Sequence, residues 1–141
     1  MSWFASIQTS PALAALAEKV RTGGHHTLRG AAGSSTTVLA GALLQTLRMP
    51  VVLVVAHLDE AADAVEELLD LGVTACALPA METAATDSAG GLETALERLR
   101  ATDACSEPRV TVAPIAALMQ TVAAPTRRER LRLLVQPGQR R

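Results

Sequence analysis

Aromatic side chains are nearly absent: Trp3 and Phe4 are the only two in 141 residues, and there is no tyrosine. Both sit at the N-terminus, where chains fray, so the expected core is one of Ala, Val and Leu. The shortage also removes the stacking platforms on which single-stranded nucleic acids rest. Cysteine is scarce too. Cys76 and Cys105 fall in no CxxC pattern and read as reduced, small apolar residues of a cytosolic protein. Long hydrophobic runs are missing: none approaches the ~20 residues of a membrane span, and the longest, around Pro50–Ala56, has strand length. The Ala-rich residues 11–17 have no basic region before them and run directly into Glu18 and Lys19, a poor signal peptide. These absences predict a cytoplasmic protein with no membrane partner.

What is present is ordinary for one globular domain, with 49% hydrophobic and 19% charged residues. The net charge of −1 hides an asymmetry. Residues 1–126 hold seven basic and thirteen acidic side chains, whereas residues 127–141 hold six Arg and one Glu. An acidic body repels a phosphate backbone. The run Arg127, Arg128, Arg130 and Arg132 is the one candidate contact for nucleic acid or an acidic partner, although such runs are ordinarily solvated faces or linkers.

The order of elements predicts an α/β fold. Ser10-Pro11 opens a helix that Gly23-Gly24 ends. His25–Arg29 is a short strand candidate, and Ser34 begins a helix reaching about Arg48. Val51–Ala56, β-branched and without alternation, reads as a strand buried on both faces. Asp59 is expected to cap a helix over Glu60–Leu71 that buries Ala61, Val65, Leu68 and Leu69 and turns an acidic face outward. Further strands are expected at Val73–Leu78, Arg109–Ala113 and Leu131–Val135. Helices are expected from Leu92 to about Ala104, with Leu92, Leu96 and Leu99 inward, and from Pro114 to near Thr121. Repeated strand–helix alternation implies right-handed crossovers and a mostly parallel sheet flanked by helices. The expected organisation is an N-terminal helix (1–23), an α/β domain (24–125) and an Arg-rich linker or start of a further domain (126–141).

In such a sheet, ligands bind at the carboxyl ends of strands, often at the first strand–helix turn. That turn reads Gly30-Ala31-Ala32-Gly33-Ser34-Ser35-Thr36-Thr37, to be set against the phosphate-loop template G-x-x-x-x-G-K-[ST]. Gly30 and Thr37 match. Ser35 replaces the last Gly and Thr36 replaces the Lys. A Cβ at Ser35 hinders close wrapping of backbone amides around phosphate. Losing the Lys removes a charge-assisted bond of roughly 1.5–3 kcal/mol. The reading is a degenerate Walker A loop with no catalytic residue and no metal ligand. The fold expected around it is P-loop NTPase-like, of the RecA/UvrB-like type.

From about Gly24 to Pro125 the chain resembles the first, UvrB-like subdomain of transcription-repair coupling factors (Mfd). Several stretches carry the resemblance: the degenerate loop; Val51–Ala56 with Asp59-Glu60-Ala61; Leu78-Pro79-Ala80-Met81-Glu82-Thr83; Glu97-Arg98-Leu99; and Val110–Gln120, the most specific. Met81 stands where that family usually has an aromatic residue, and Ala84-Ala85 replaces its leucine–proline. The resemblance implies a non-catalytic scaffold and interaction domain, present as a fragment, serving transcription-coupled nucleotide excision repair. It implies contact with the rest of the parent protein, with UvrA through the adjacent domain, and with RNA polymerase and DNA through others. ATP and Mg would be needed only in the motor domains of the full-length relative. The alternative is an independent phosphate- or nucleotide-binding α/β protein using Gly30–Thr37.

Other chemistry is less supported. His25-His26, on a strand, would point to opposite faces. His57 reads as a loop histidine near a helix cap. Ser34 lacks the second Gly of a nucleophile elbow, and Ser34 or Ser35 suits a helix cap. Glu82 and Asp87 read as solvated loop carboxylates.

Overall fold

The computed structural model describes residues 3–81, 89–122 and 124–131. Three parallel strands, β1 (Val51–Val55), β2 (Ala75–Ala77) and β3 (Val110–Pro114), form a sheet in the order β1-β3-β2. The helices are α1 (Trp3–Gln8), α2 (Pro11–Thr22), α3 (Ser34–Leu47), α4 (Leu58–Asp70), α5 (Ala89–Ala104), α6 (Ile115–Leu118) and α7 (Pro125–Leu131). The α/β class and the parallel sheet flanked by helices are as expected. Among the described residues no helix is long and apolar enough to cross a membrane.

Several elements start where local chemistry dictates. Ser10 accepts a hydrogen bond from the amide of Ala12, with Pro11 in the first turn of α2. At α4 the cap position is His57 rather than Asp59, because the Glu60 carboxylate reaches back to the amides of Ala56 (3.0 Å) and His57 (3.4 Å). α4 buries Ala61, Ala64 and Leu68, while Leu69 is exposed.

The strand expected to be buried on both faces is instead an edge strand: Val52 and Val54 are exposed. The crossover through α4 carries the chain past one strand position, and β3 fills the gap. β3 is buried along its whole length. The strand expected at His25–Arg29 pairs with no other among the described residues; its residues are irregular and exposed. That expected at Leu131–Val135 lies mostly outside the described residues, and Leu131 itself ends α7.

The main core lies between the sheet and α1, α2, α3 and α4. Leu53, Val110 and Val112 meet Leu13, Val38, Leu44, Leu68 and Val73 there. Phe4 is buried in this core at 6% exposure, contrary to the expectation of a frayed N-terminus and a purely aliphatic core. Its ring reaches α3 at Gly41, where an added Cβ would come within 3.6 Å of it and about 3.1 Å of Leu68. A glycine there lets α1 and α4 approach α3 closely. A second, smaller cluster (Leu78, Ala101, Ala113 and Ala117) joins the other face of the sheet to α5 and α6.

Candidate functional site

Gly30 and Gly33 both adopt positive φ, 90° and 57°, so the turn before α3 needs its glycines. Ser35 closes that turn on itself. Its Oγ accepts from the Ala32 amide and donates to the Ala32 carbonyl, both at 2.7 Å. The amides of Ser35 and Thr36 donate to Ala32 and Gly33 carbonyls. Three of the amides that would face an anion are therefore spent within the turn. Thr37, which matches the metal-binding hydroxyl of the template, is buried at 6% exposure. Ser34 provides no cap: the cap position is Gly33, with no side-chain hydrogen bond.

Beside the turn lies a cleft of about 420 Å³, bounded by Gly33, Ser34, Thr36 and Thr37, by the end of β1, and by Glu60, Asp63 and Glu67 of α4. Three carboxylates thus line the space that a phosphate would enter, and like charges repel there. The amphipathic spacing of α4 forces this, because burying Ala61, Ala64 and Leu68 turns its acidic residues toward the cleft rim and the surface.

The histidines do not assemble a site. His25 and His26 are both exposed, and the Nε2 of His26 sits 3.1 Å from the Lys19 carbonyl and 3.2 Å from the Gly23 carbonyl, at the end of α2. The opposite-face expectation fails because no strand forms there. His57 occupies the cap position of α4. Glu82, Asp87 and Arg132 lie outside the described residues. Arg127, Arg128 and Arg130 lie on α7. Arg128 forms an ion pair with Asp103 of α5 at 2.8 Å, its side chain 16% exposed, while Arg127 and Arg130 are exposed.

The most elaborate polar arrangement is one that the sequence did not single out as a site. Arg98 is 3% exposed, and the bonds of its guanidinium among the described residues run to main-chain carbonyls. Its Nη1 donates to the Pro79 carbonyl (2.7 Å), and its Nη2 donates to the carbonyls of Ala117 (2.6 Å) and Gln120 (2.9 Å). Burial lowers its pKa from the ordinary value. Gln120 completes the arrangement: its Oε1 accepts from the Met81 amide at 2.7 Å, and its Nε2 donates to the Met81 carbonyl at 2.8 Å. The chain segments after β2 and after α6 are thereby joined through main-chain atoms. α5 rotates accordingly. Leu92 and Leu96, expected inward, are 65% and 47% exposed, while Arg98 and Ala101 face in. Ala101 lets the helix approach, whereas a leucine would hold it too far off for the guanidinium to reach three carbonyls. The available signal was the spacing of Gly91, Arg98 and Ala101 on one helical face.

No family model, curated protein or solved structure matches the chain.

Proposed function

We propose that this chain is a non-catalytic, UvrB-like scaffold and interaction domain of a transcription-repair coupling factor, working in the cytoplasm in transcription-coupled excision repair. One observation carries the reading. Three stretches through which the sequence resembles that family, 78–81, 97–99 and 110–120, are the ones that Arg98 and Gln120 draw together. Residues joined in this way hold a shape and leave chemistry to other parts of a protein, which suits a module acting through its surfaces. The departure at Met81 is compatible with this, because Gln120 engages only its backbone.

Kinship with P-loop NTPases belongs to the same proposal. It is supported by the glycine turn that opens α3, and the self-satisfied Ser35 and the carboxylate-lined cleft fit a loop that has given up nucleotide. ATP and Mg would then serve the motor domains of a larger protein, and UvrA, RNA polymerase and DNA would be reached through its other domains. The alternative, an independent phosphate- or nucleotide-binding protein, has to overcome Glu60, Asp63 and Glu67.

A pull-down tests the proposal. UvrA is expected to be retained by a version extended through the next domain of a coupling factor and not by this chain alone. Equal retention by both, or by neither, counts against it. Calorimetric titration with Mg-ATP separates the alternative: dissociation weaker than about 100 μM is expected from the missing charge-assisted contacts, and tight saturable binding would favour a nucleotide-binding protein.

A further inference from the structure

Cys76 on β2 and Cys105, just beyond α5, both turn their sulfurs onto the hydroxyl of Thr111, at 3.8 and 3.6 Å. Thr111 is buried on the central strand, in register with Cys76. Two thiols distant in sequence therefore share one neighbouring atom. Neither is sealed off, since both cysteines are half-buried and free. Cys76 lines a cleft of about 380 Å³ together with Arg100, Ala104 and Arg109. The Arg109 guanidinium and Cys76 face the same cleft, and the neighbouring sulfur is the largest cause raising the Arg109 pKa above its ordinary value. Arg109 also pairs with Glu107.

We propose that Cys76 and Cys105 are a peroxide-oxidisable dithiol that closes into a disulfide between β2 and the end of α5. In the first step the Cys76 sulfur attacks a hydroperoxide. Its O–O bond breaks, the sulfur becomes a sulfenic acid, and the leaving oxygen departs as water or an alcohol. In the second step the Cys105 sulfur attacks that of Cys76, forming the S–S bond and expelling the sulfenic oxygen, which leaves as water with the Cys105 proton. Two thiols lose two electrons, and one hydroperoxide takes them up. Bridging requires Cα atoms within about 7 Å. Cys76 is fixed in the sheet, but Cys105 stands on the turn leaving α5, where its amide donates a hydrogen bond to the Thr102 carbonyl at 3.3 Å. That turn supplies the adjustment.

The experiment exposes the full chain to hydrogen peroxide, blocks the remaining thiols and digests with trypsin under non-reducing conditions. Cleavage after Arg98 and Arg100 places the two cysteines on separate peptides. The expected result is a linked pair of those peptides from monomeric protein, lighter by two hydrogens than the free pair. Two free thiols, or linkage only between copies, would overturn the proposal. With Cys105→Ser, dimedone is expected to trap a sulfenic acid at Cys76, and its absence would refute the order of steps. Arg109→Gln is expected to slow the first step, oxidation of Cys76 by peroxide, about tenfold by removing the cation beside that sulfur; an unchanged rate would refute the part given to Arg109.

Discussion

On one face of the sheet, Phe4, Leu13, Leu44, Leu53 and Leu68 interlock beneath the helices. On the other, a few small residues leave room for a guanidinium and a carboxamide to make the join. The first face gains its stability from apolar area removed from water, which is tolerant of direction and sensitive to volume. The second depends on aligned donors, sensitive to direction and to the loss of any partner. A small sheet can thus be covered in two ways, and the thinner cover is the one that leaves β1 partly bare at Val52 and Val54.

The largest expected effect falls on the packed face. Phe4→Ala should destabilise the chain by about 3–5 kcal/mol, because the ring fills a space that α3 and α4 cannot close. Urea denaturation followed by circular dichroism measures this. A loss under about 1 kcal/mol would mean that α1 is an ornament and the core lies elsewhere. Next comes the stitched face. Arg98→Met keeps the apolar stem but strands three carbonyls, and should cost about 2–3 kcal/mol. If methionine is neutral, apolar contact holds both faces and the contrast dissolves. The smallest effect belongs to the bare part. Val52→Thr combined with Val54→Thr should change stability by about 0.5 kcal/mol or less, as exposed positions do. A larger loss by the same urea measurement would reveal cover on that face.

The sequence announced the packed face better than the stitched one, and the reason is physical. Periodic apolar residues in α2, α3 and α4, and the β-branched run of β1, advertise burial directly. The capping serine at position 10 and the extent of α3 were readable for the same reason. Strand order was not. Nothing local in Val51–Val55 says whether the next crossover skips a position, so β1 was expected to be buried on both faces, and β3 took the central place. The strand expected at His25–Arg29 rested on position before a glycine turn and had little apolar content to hold it. In α5 a buried arginine overrode the leucine periodicity, and in α1 a lone phenylalanine outweighed the tendency of chain ends to fray. At the glycine turn, residue types were enough to expose the departures from the phosphate-loop template at Ser35 and Thr36. The facing carboxylates came into view only once α4 was placed beside it.

The Arg98 join also bears on how such a domain can change over evolutionary time. Its acceptors are the carbonyls of Pro79, Ala117 and Gln120, which every residue possesses. Substitutions at 79 and 117 can therefore accumulate without disturbing it, provided that the backbone keeps its course, while positions 98 and 120 carry the identity. Two lineages could share this architecture with little more in common than an arginine, a glutamine and the distance between them. In such a domain, likeness persists as spacing after most of the letters have drifted.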